Sequence, residues 1–361
     1  MSNHSEGKWL WLLILPLLSG CWDQNLLSRS IIQLGYGVDL AENGKVRTTF
    51  TLVTSNKKTI VTSVEGETPR DTKLHANQRL PGNIDSSKNR VVLISEEAAK
   101  KGIYPYLDVL YRDPKSALNA KIGIVEGTVE KMLNQYADSP AMRKFDGFFT
   151  SMEKSTSIPK TNVQNTCTIL FDNGQDNLLP FLTMDDTKQI VIGGSAMFHQ
   201  EYYTGKLSKD DTELLLLMKG ELADTVQLKI HTGEASGIKG YATSNTVHMK
   251  RDLDVDSKNG HVSAKLSLNL DLQMLEYPLD KLEQEERQRK LEREYEEQLT
   301  DRAKRIFEKL QAGKCDALGI GRIVQAFHPK QWKRMKWDEE YPKVRFEPQI
   351  NVRIVGTGIM S

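Results

Sequence analysis

From His261 to Met274 the sequence (HVSAKLSLNLDLQM) alternates without a break. Val262, Ala264, Leu266, Leu268, Leu270, Leu272 and Met274 fall on one side; Ser263, Lys265, Ser267, Asn269, Asp271 and Gln273 fall on the other. A period of two admits only an extended strand, because successive side chains of a strand point to opposite faces. One face is buried and the other wet, the pattern expected of an antiparallel sheet open on one side. Val226–Ile230 and Thr246–Val255 are its expected neighbours. Val344, Phe346, Ile350, Val352 and Ile354 repeat the alternation near the C-terminus, and Pro348 confines that strand to an edge or a bulge.

Between these strands the period changes to that of a helix, from about Leu279 to Gln311. Leu291, Tyr295, Leu299, Ala303, Ile306 and Leu310 form an apolar stripe at steps of three and four. The first part, Glu283–Lys290 (EQEERQRK), is charged on every side and carries Glu–Arg and Glu–Lys pairs four residues apart. It reads as a solvated helix end, with a partner-facing projection as the functional alternative. The first half of the chain is organised differently. An Asn43-Gly44 turn joins two β-rich runs, the strand Arg90–Ser95 enters a short helix that ends at Gly102, and Ala120–Val125 and Gln189–Phe198 are further strands. Helical stripes lie between them, so the fold class is α+β, a mixed α/β arrangement of sheet-based domains with helices packed on them.

The N-terminus sets the compartment. Trp9–Leu18 (WLWLLILPLL) is apolar throughout but shorter than the roughly 20 residues that cross a bilayer as a helix. It has the length of a secretory signal core, and Leu18-Ser19-Gly20-Cys21 follows it as a lipobox. A lipoprotein signal peptidase needs small residues at the scissile bond and a thiol at the new N-terminus to carry the diacylglyceryl group. The expected organisation is a cleaved signal peptide at 1–20, an N-terminal mixed region at 21–205 and a C-terminal sheet-and-helix region at 206–361. Cys21 is then expected to be N-palmitoylated and S-diacylglycerylated, holding the chain on the outer face of a membrane.

The chain has 49 basic and 48 acidic residues, a net charge of +1 that offers no global attraction to nucleic acid. Besides Cys21 there are two cysteines, Cys167 and Cys315, whose separation suits two buried thiols better than a metal site, although pairing is open. The seven histidines are scattered and none has metal-ligand spacing. Ser157-Ile158-Pro159-Lys160 fits Ser-x-x-Lys only loosely, since the proline spoils the helical geometry, and Gly193-Gly194-Ser195 is no nucleophile elbow. Asp172-Asn173-Gly174-Gln175-Asp176-Asn177 lacks the closing acid of a calcium loop and reads as a polar turn. No enzyme, metal or cofactor is indicated.

The ordered set of motifs resembles the C-subunit lipoproteins of spore germinant receptors, the Ger(x)C family, along nearly the whole chain. The lipobox followed by Trp22-Asp23 is similar to the family's opening, and Gly35-Tyr36-Gly37-Val38-Asp39 and Ile94–Gly102 to its next landmarks. Gly194–Phe198 with Gly205–Ser208 matches the block that closes the N-terminal region. Cys315-Asp316-Ala317-Leu318-Gly319-Ile320-Gly321, then Trp332, Trp337 and Gly356-Thr357-Gly358, matches the C-terminal signature. Leu26 stands where the family often has a glutamate. The resemblance implies a non-enzymatic receptor component at the spore inner membrane that assembles with two integral membrane subunits, of A and B type, to trigger germination in response to nutrients. It assigns no role to Trp22, Asp23, Asp316, Gly319, Gly321 or Trp332, and it places nutrient binding in a membrane subunit. The alternative is the substrate-binding lipoprotein of an ABC transporter, whose repeated βαβ units would predict continuous apolar strands where 261–274 alternates.

Overall fold

Among the described residues, nine strands pair into the first sheet: β1 (Ser30–Leu40), β2 (Val46–Val53), β3 (Thr59–Gly66), β4 (Asn83–Asp85), β5 (Val91–Ser95), β6 (Lys121–Val125), β7 (Leu178–Met184), β8 (Ile190–His199) and β9 (Tyr202–Leu207). The computed structural model describes residues 30–54, 58–136, 145–233, 236–258 and 261–358. The strand order is β3-β2-β1-β5-β6-β7-β8-β9, with β4 beside the start of β1. β1, β5, β6 and β7 run parallel at the centre, and antiparallel hairpins extend the sheet on both sides.

Parallel strands need crossover connections, and the sequence supplies helices at Glu96–Lys100 and Tyr104–Arg112 between β5 and β6. Helices Val129–Gln135, Phe145–Lys154 and Val163–Leu170 lie between β6 and β7. Both faces of the centre are therefore covered. Val92 and Ile94 of β5 join one core with Ala98, Leu107, Leu110 and Cys167, while Val91 and Leu93 join another with Val129, Met132, Phe145 and Phe149. Asp39 ties the layers together: its buried carboxylate accepts from the amides of Val129 (2.8 Å) and Glu130 (2.9 Å), capping a helix from a strand.

The second sheet has the order β10 (Val226–His231), β11 (Tyr241–Lys258), β12 (His261–Glu276) and β13 (Arg345–Gly356). β12 buries its even positions from Val262 to Met274, as the alternation predicts. The helix Glu285–Ala312 lies across that face and contributes Leu291, Tyr295, Leu299, Ala303, Ile306, Phe307 and Leu310 to the shared core. β13 is an edge strand, as Pro348 requires, but the expectation of a wholly antiparallel sheet is corrected: β13 pairs parallel to β12. The physical reason is the long helix, which carries the chain back to its starting end before β13 begins.

The same helix deals with the free edge that β13 would otherwise present. Gln288, Glu292, Glu296 and Thr300 form one row at steps of four. Glu292 accepts from the Ile354 amide (2.8 Å), Glu296 from that of Val352 (3.0 Å) and Thr300 from that of Ile350 (3.4 Å), while Gln288 donates to the Ile354 carbonyl (3.0 Å). Gln298 brackets His231 on the opposite edge strand in the same way. Helix Lys209–Lys219 buries Leu214, Leu215, Leu216, Leu217 and Met218 in a core that also takes in Leu178, Met197 and Leu207 of the first sheet.

Candidate functional site

After the long helix the chain turns through Lys314 and reaches Asp316, which is 1% exposed. Its Oδ1 accepts from the amide of Ile320 (2.9 Å), and its Oδ2 from the amide of Gly321 (2.7 Å) and the indole Nε1 of Trp337 (3.2 Å). Asp316 thus caps the helix Ile320–Phe327, where the positive end of the helix dipole favours a carboxylate. Burial is the larger influence and pushes its pKa up to about 7, with the amides and the indole opposing it. Gly319 supplies the left-handed residue (φ 69°) that lets the chain double back over the carboxylate. Trp332 packs on Trp337 (centroids 5.7 Å apart), Trp337 on Tyr341 (5.7 Å), and the Tyr341 hydroxyl donates to the Cys315 carbonyl (2.7 Å).

This unit is seated on the polar turn 172–177 of the first body. The Arg322 amide donates to the Gly174 carbonyl (2.9 Å), and its guanidinium reaches Asp172 (3.0 Å) and the Gln175 side chain (2.9 Å). Asp176 exchanges two bonds with Asp316: its Oδ2 accepts from the Asp316 amide (2.9 Å) and its own amide donates to the Asp316 carbonyl (3.1 Å). Its Oδ1 accepts from the Gln200 amide (2.7 Å). The approach is at backbone distance. A Cβ on Gly321 would lie 2.7 Å from the Trp337 indole nitrogen and 2.8 Å from Gly174 Cα, and one on Gly174 would lie 2.6 Å from the Arg322 amide nitrogen.

Beside this interlock opens a cleft of about 700 Å³. Tyr104, Phe171, His199 and Glu201 line it from the first body; Trp332, Met335, Trp337 and Asp338 line it from the C-terminal segment. His199 stands between two carboxylates, with Nδ1 3.8 Å from Asp176 and Nε2 3.8 Å from Asp338. Attraction to Asp176 is the main cause that raises its pKa, partial burial opposes it, and Asp338 adds to the rise.

The structure therefore brings together Asp316, Gly319, Gly321 and Trp332, which resemblance alone had grouped. Cys21, Trp22 and Asp23 lie outside the described residues. The turn 172–177 is the dock for the C-terminal signature, a role its sequence gave no local sign of, because its partners lie about 140 positions away. His199 and Arg322 were likewise not anticipated. Ser157 does not work with Lys160; its hydroxyl donates to the buried Glu213 (3.0 Å). Cys167 and Cys315 are both buried and both free. Among the described residues no cluster of three or more His, Cys, Asp or Glu is placed to hold a metal, and no helix is long and apolar enough to cross a membrane.

Two family models match the chain in succession: the spore germination protein N-terminal domain over residues 23–184, and the C-terminal domain described as spore germination B3/GerAC like over residues 193–358. Among curated proteins the chain is similar to the spore germination protein GerQC of Bacillus cereus, at 21% identity over 98% of this chain and 99% of the relative. It is also similar to the spore germination protein KC of Bacillus subtilis (strain 168), at 21% identity over 98% of this chain and 95% of the relative. The crystal structure of the GerBC protein shares the fold, with a TM-score of 0.61 at 17% identity over 92% of this chain and 100% of that one.

Proposed function

Because the chain belongs to the GerAC family of spore germination proteins, whose two domain models together span residues 23–358, we propose that it is the lipid-anchored C subunit of a nutrient germinant receptor. In this reading Cys21 is acylated, the body stands on the outer face of the spore inner membrane, and it assembles there with two integral membrane subunits of A and B type. The role is structural and regulatory, without catalysis. The observation that carries the reading is the use made of the family's C-terminal signature: Asp316, Gly319, Gly321 and Trp337 are consumed in locking the two sheet-bearing halves together. The carboxylate of Asp316, the one buried acid of the signature, already accepts three hydrogen bonds and is committed to architecture. None of the family matches favours the substrate-binding protein of a transporter.

Lipidation matters physically because each buried CH₂ contributes roughly 0.8 kcal/mol, and two or more acyl chains anchor stably where one does not. Confinement to a surface then raises the effective concentration of the subunit beside its membrane partners. The test replaces Cys21 with Ala in a strain that depends on this receptor alone. Loss of the protein from the spore membrane together with loss of nutrient-triggered germination is the expected outcome. Normal germination with normal subunit levels at the membrane would refute the reading.

A further inference from the structure

The uncovered face of the second sheet is polar along most of its length, with Ser263, Lys265, Ser267 and Asn269 pointing outward from β12. Near one end it changes character. The pairing register slips three times within Asp271–Glu276 of β12 or directly opposite it. Thr246 pairs with Leu272 but His248 with Asp271, which makes Val247 the extra residue; Ser244 pairs with Met274 but Thr243 with Glu276, which makes Leu275 extra; Leu272 pairs with Ile354 but Gln273 with Gly356, which makes Val355 extra. All three are aliphatic, and they are 47%, 49% and 49% exposed. A bulge re-aims a side chain, and here three bulges on adjacent strands aim three aliphatic groups into solvent.

Tyr241 (42% exposed) continues the patch beyond Glu276, with His231 edge-on to it at 5.0 Å and the Lys229 ammonium 5.8 Å from its ring. Ile238, 69% exposed, sits in the short turn Gly237–Gly240 that feeds β11. The charge around the patch is mainly basic. Lys229, Lys239 and Lys250 are exposed; of the nearby acids on the face, Asp271 is held by Arg353 through two bonds (2.9 and 2.8 Å), leaving Glu276 and, further along β11, Asp252 against them.

We propose that Val247, Leu275 and Val355, with Tyr241 and Ile238, seat this end of the sheet on an anionic lipid surface. Val247 and Val355 stand on either side of β12, about 10 Å apart at two strand spacings, with Asp271 and Gln273 between them. A close-packed protein interface wants a contiguous apolar centre. Scattered aliphatic side chains with hydrated groups among them suit a fluid boundary, where each apolar tip enters the acyl region and each polar group stays at headgroup level. Lysines near such a surface add attraction to anionic lipid. The inference rests on the tethered reading in one respect, that acylated Cys21 brings the body to a bilayer.

Cys167 and Cys315 are fully buried, so a cysteine introduced on the surface can be labelled selectively. Leu275→Cys and Val355→Cys, and Leu74→Cys as a control on the exposed helix Pro69–Arg79, are each labelled with bimane in the acylated protein on vesicles of phosphatidylglycerol and phosphatidylcholine carrying nitroxide-labelled lipid. The anchor is verified by mass on the same preparation. If the anchor is missing, the protein, with Cys21→Ser so that no second thiol is labelled, is held instead by an N-terminal histidine tag on nickel-chelating lipid and read identically, which decides the patch whether or not the tether exists. Emission loss at positions 275 and 355 well above that at 74, greater with a nitroxide near the headgroup than deep in the chain, and weakened by Lys229→Glu with Lys239→Glu, is expected. Loss at 275 and 355 equal to that at 74, or unchanged by the charge reversals, overturns the proposal.

Discussion

Asp316 concentrates the chemistry of the interlock in one side chain. Replacing it with Ala would strand two buried amides and an indole N–H, at a cost of about 2–4 kcal/mol on the scale of unmet buried donors, read as a fall in denaturant midpoint. Gly321→Ala should cost about 1–3 kcal/mol by overpacking, since its Cβ would press on both the Trp337 ring and Gly174. The acid also fixes a pH dependence. Its folded pKa of about 7 lies above the ordinary 3.8, so the native state keeps a proton that the unfolded chain gives up. That contribution is complete below about pH 4 and is lost as pH rises through 7. His199 is raised as well, so its contribution is complete below its ordinary 6.5 and is also lost on the alkaline side. Wild type should therefore lose stability from mildly acidic to mildly alkaline pH, with a slope of at most about 1.4 kcal/mol per pH unit for each proton. Asp316→Asn should flatten that slope in urea titrations at several pH values. A slope unchanged by the substitution would show that Asp316 does not titrate in this window.

At the level of elements, the Gln288–Thr300 row makes a prediction of its own. Glu296→Ala should free the Val352 amide, cost on the order of 1 kcal/mol and speed hydrogen exchange at Val352, whereas Glu296→Gln should keep most of the protection. Removing Glu292 and Glu296 together exposes a strand edge, and concentration-dependent aggregation is the expected result. Local signals foretold the elements well. The alternation of 261–274, the Asn43-Gly44 turn, the helix after Ser95 and the edge placement forced by Pro348 all stand where sequence put them. The direction of β13 was not legible locally, because pairing sense depends on how the long helix returns the chain. The charged helix start 283–290 lies at the surface as expected, but the purpose of the acids just beyond it was hidden for a related reason. Glu292 and Glu296 look like any solvated acids until the strand whose amides they satisfy, more than 50 residues later, is laid beside them. The dock at 172–177 was hidden in the same way, and its glycine and acids read as a turn because half of the site is elsewhere.

Across the whole molecule, the two bodies are joined by unequal means. Arg322 is well exposed, so its pairing with Asp172 should contribute under about 1 kcal/mol. A double-mutant cycle of Arg322→Ala with Asp172→Ala should return a coupling in that range, while Gly321→Ala should open the junction to limited proteolysis without either charge being touched. The greater part of the hold lies in main-chain contact, in the Asp176–Asp316 exchange and in the core under helix Lys209–Lys219. The main-chain contact has a mechanical corollary. The dock loop runs straight into β7 of the parallel centre, and Asp316 follows directly from the end of the long helix. A load on the far sheet would thus be carried by a stiff spine into the middle of the first, and a displacement at one extremity would reach the other as a tilt of the entire lever.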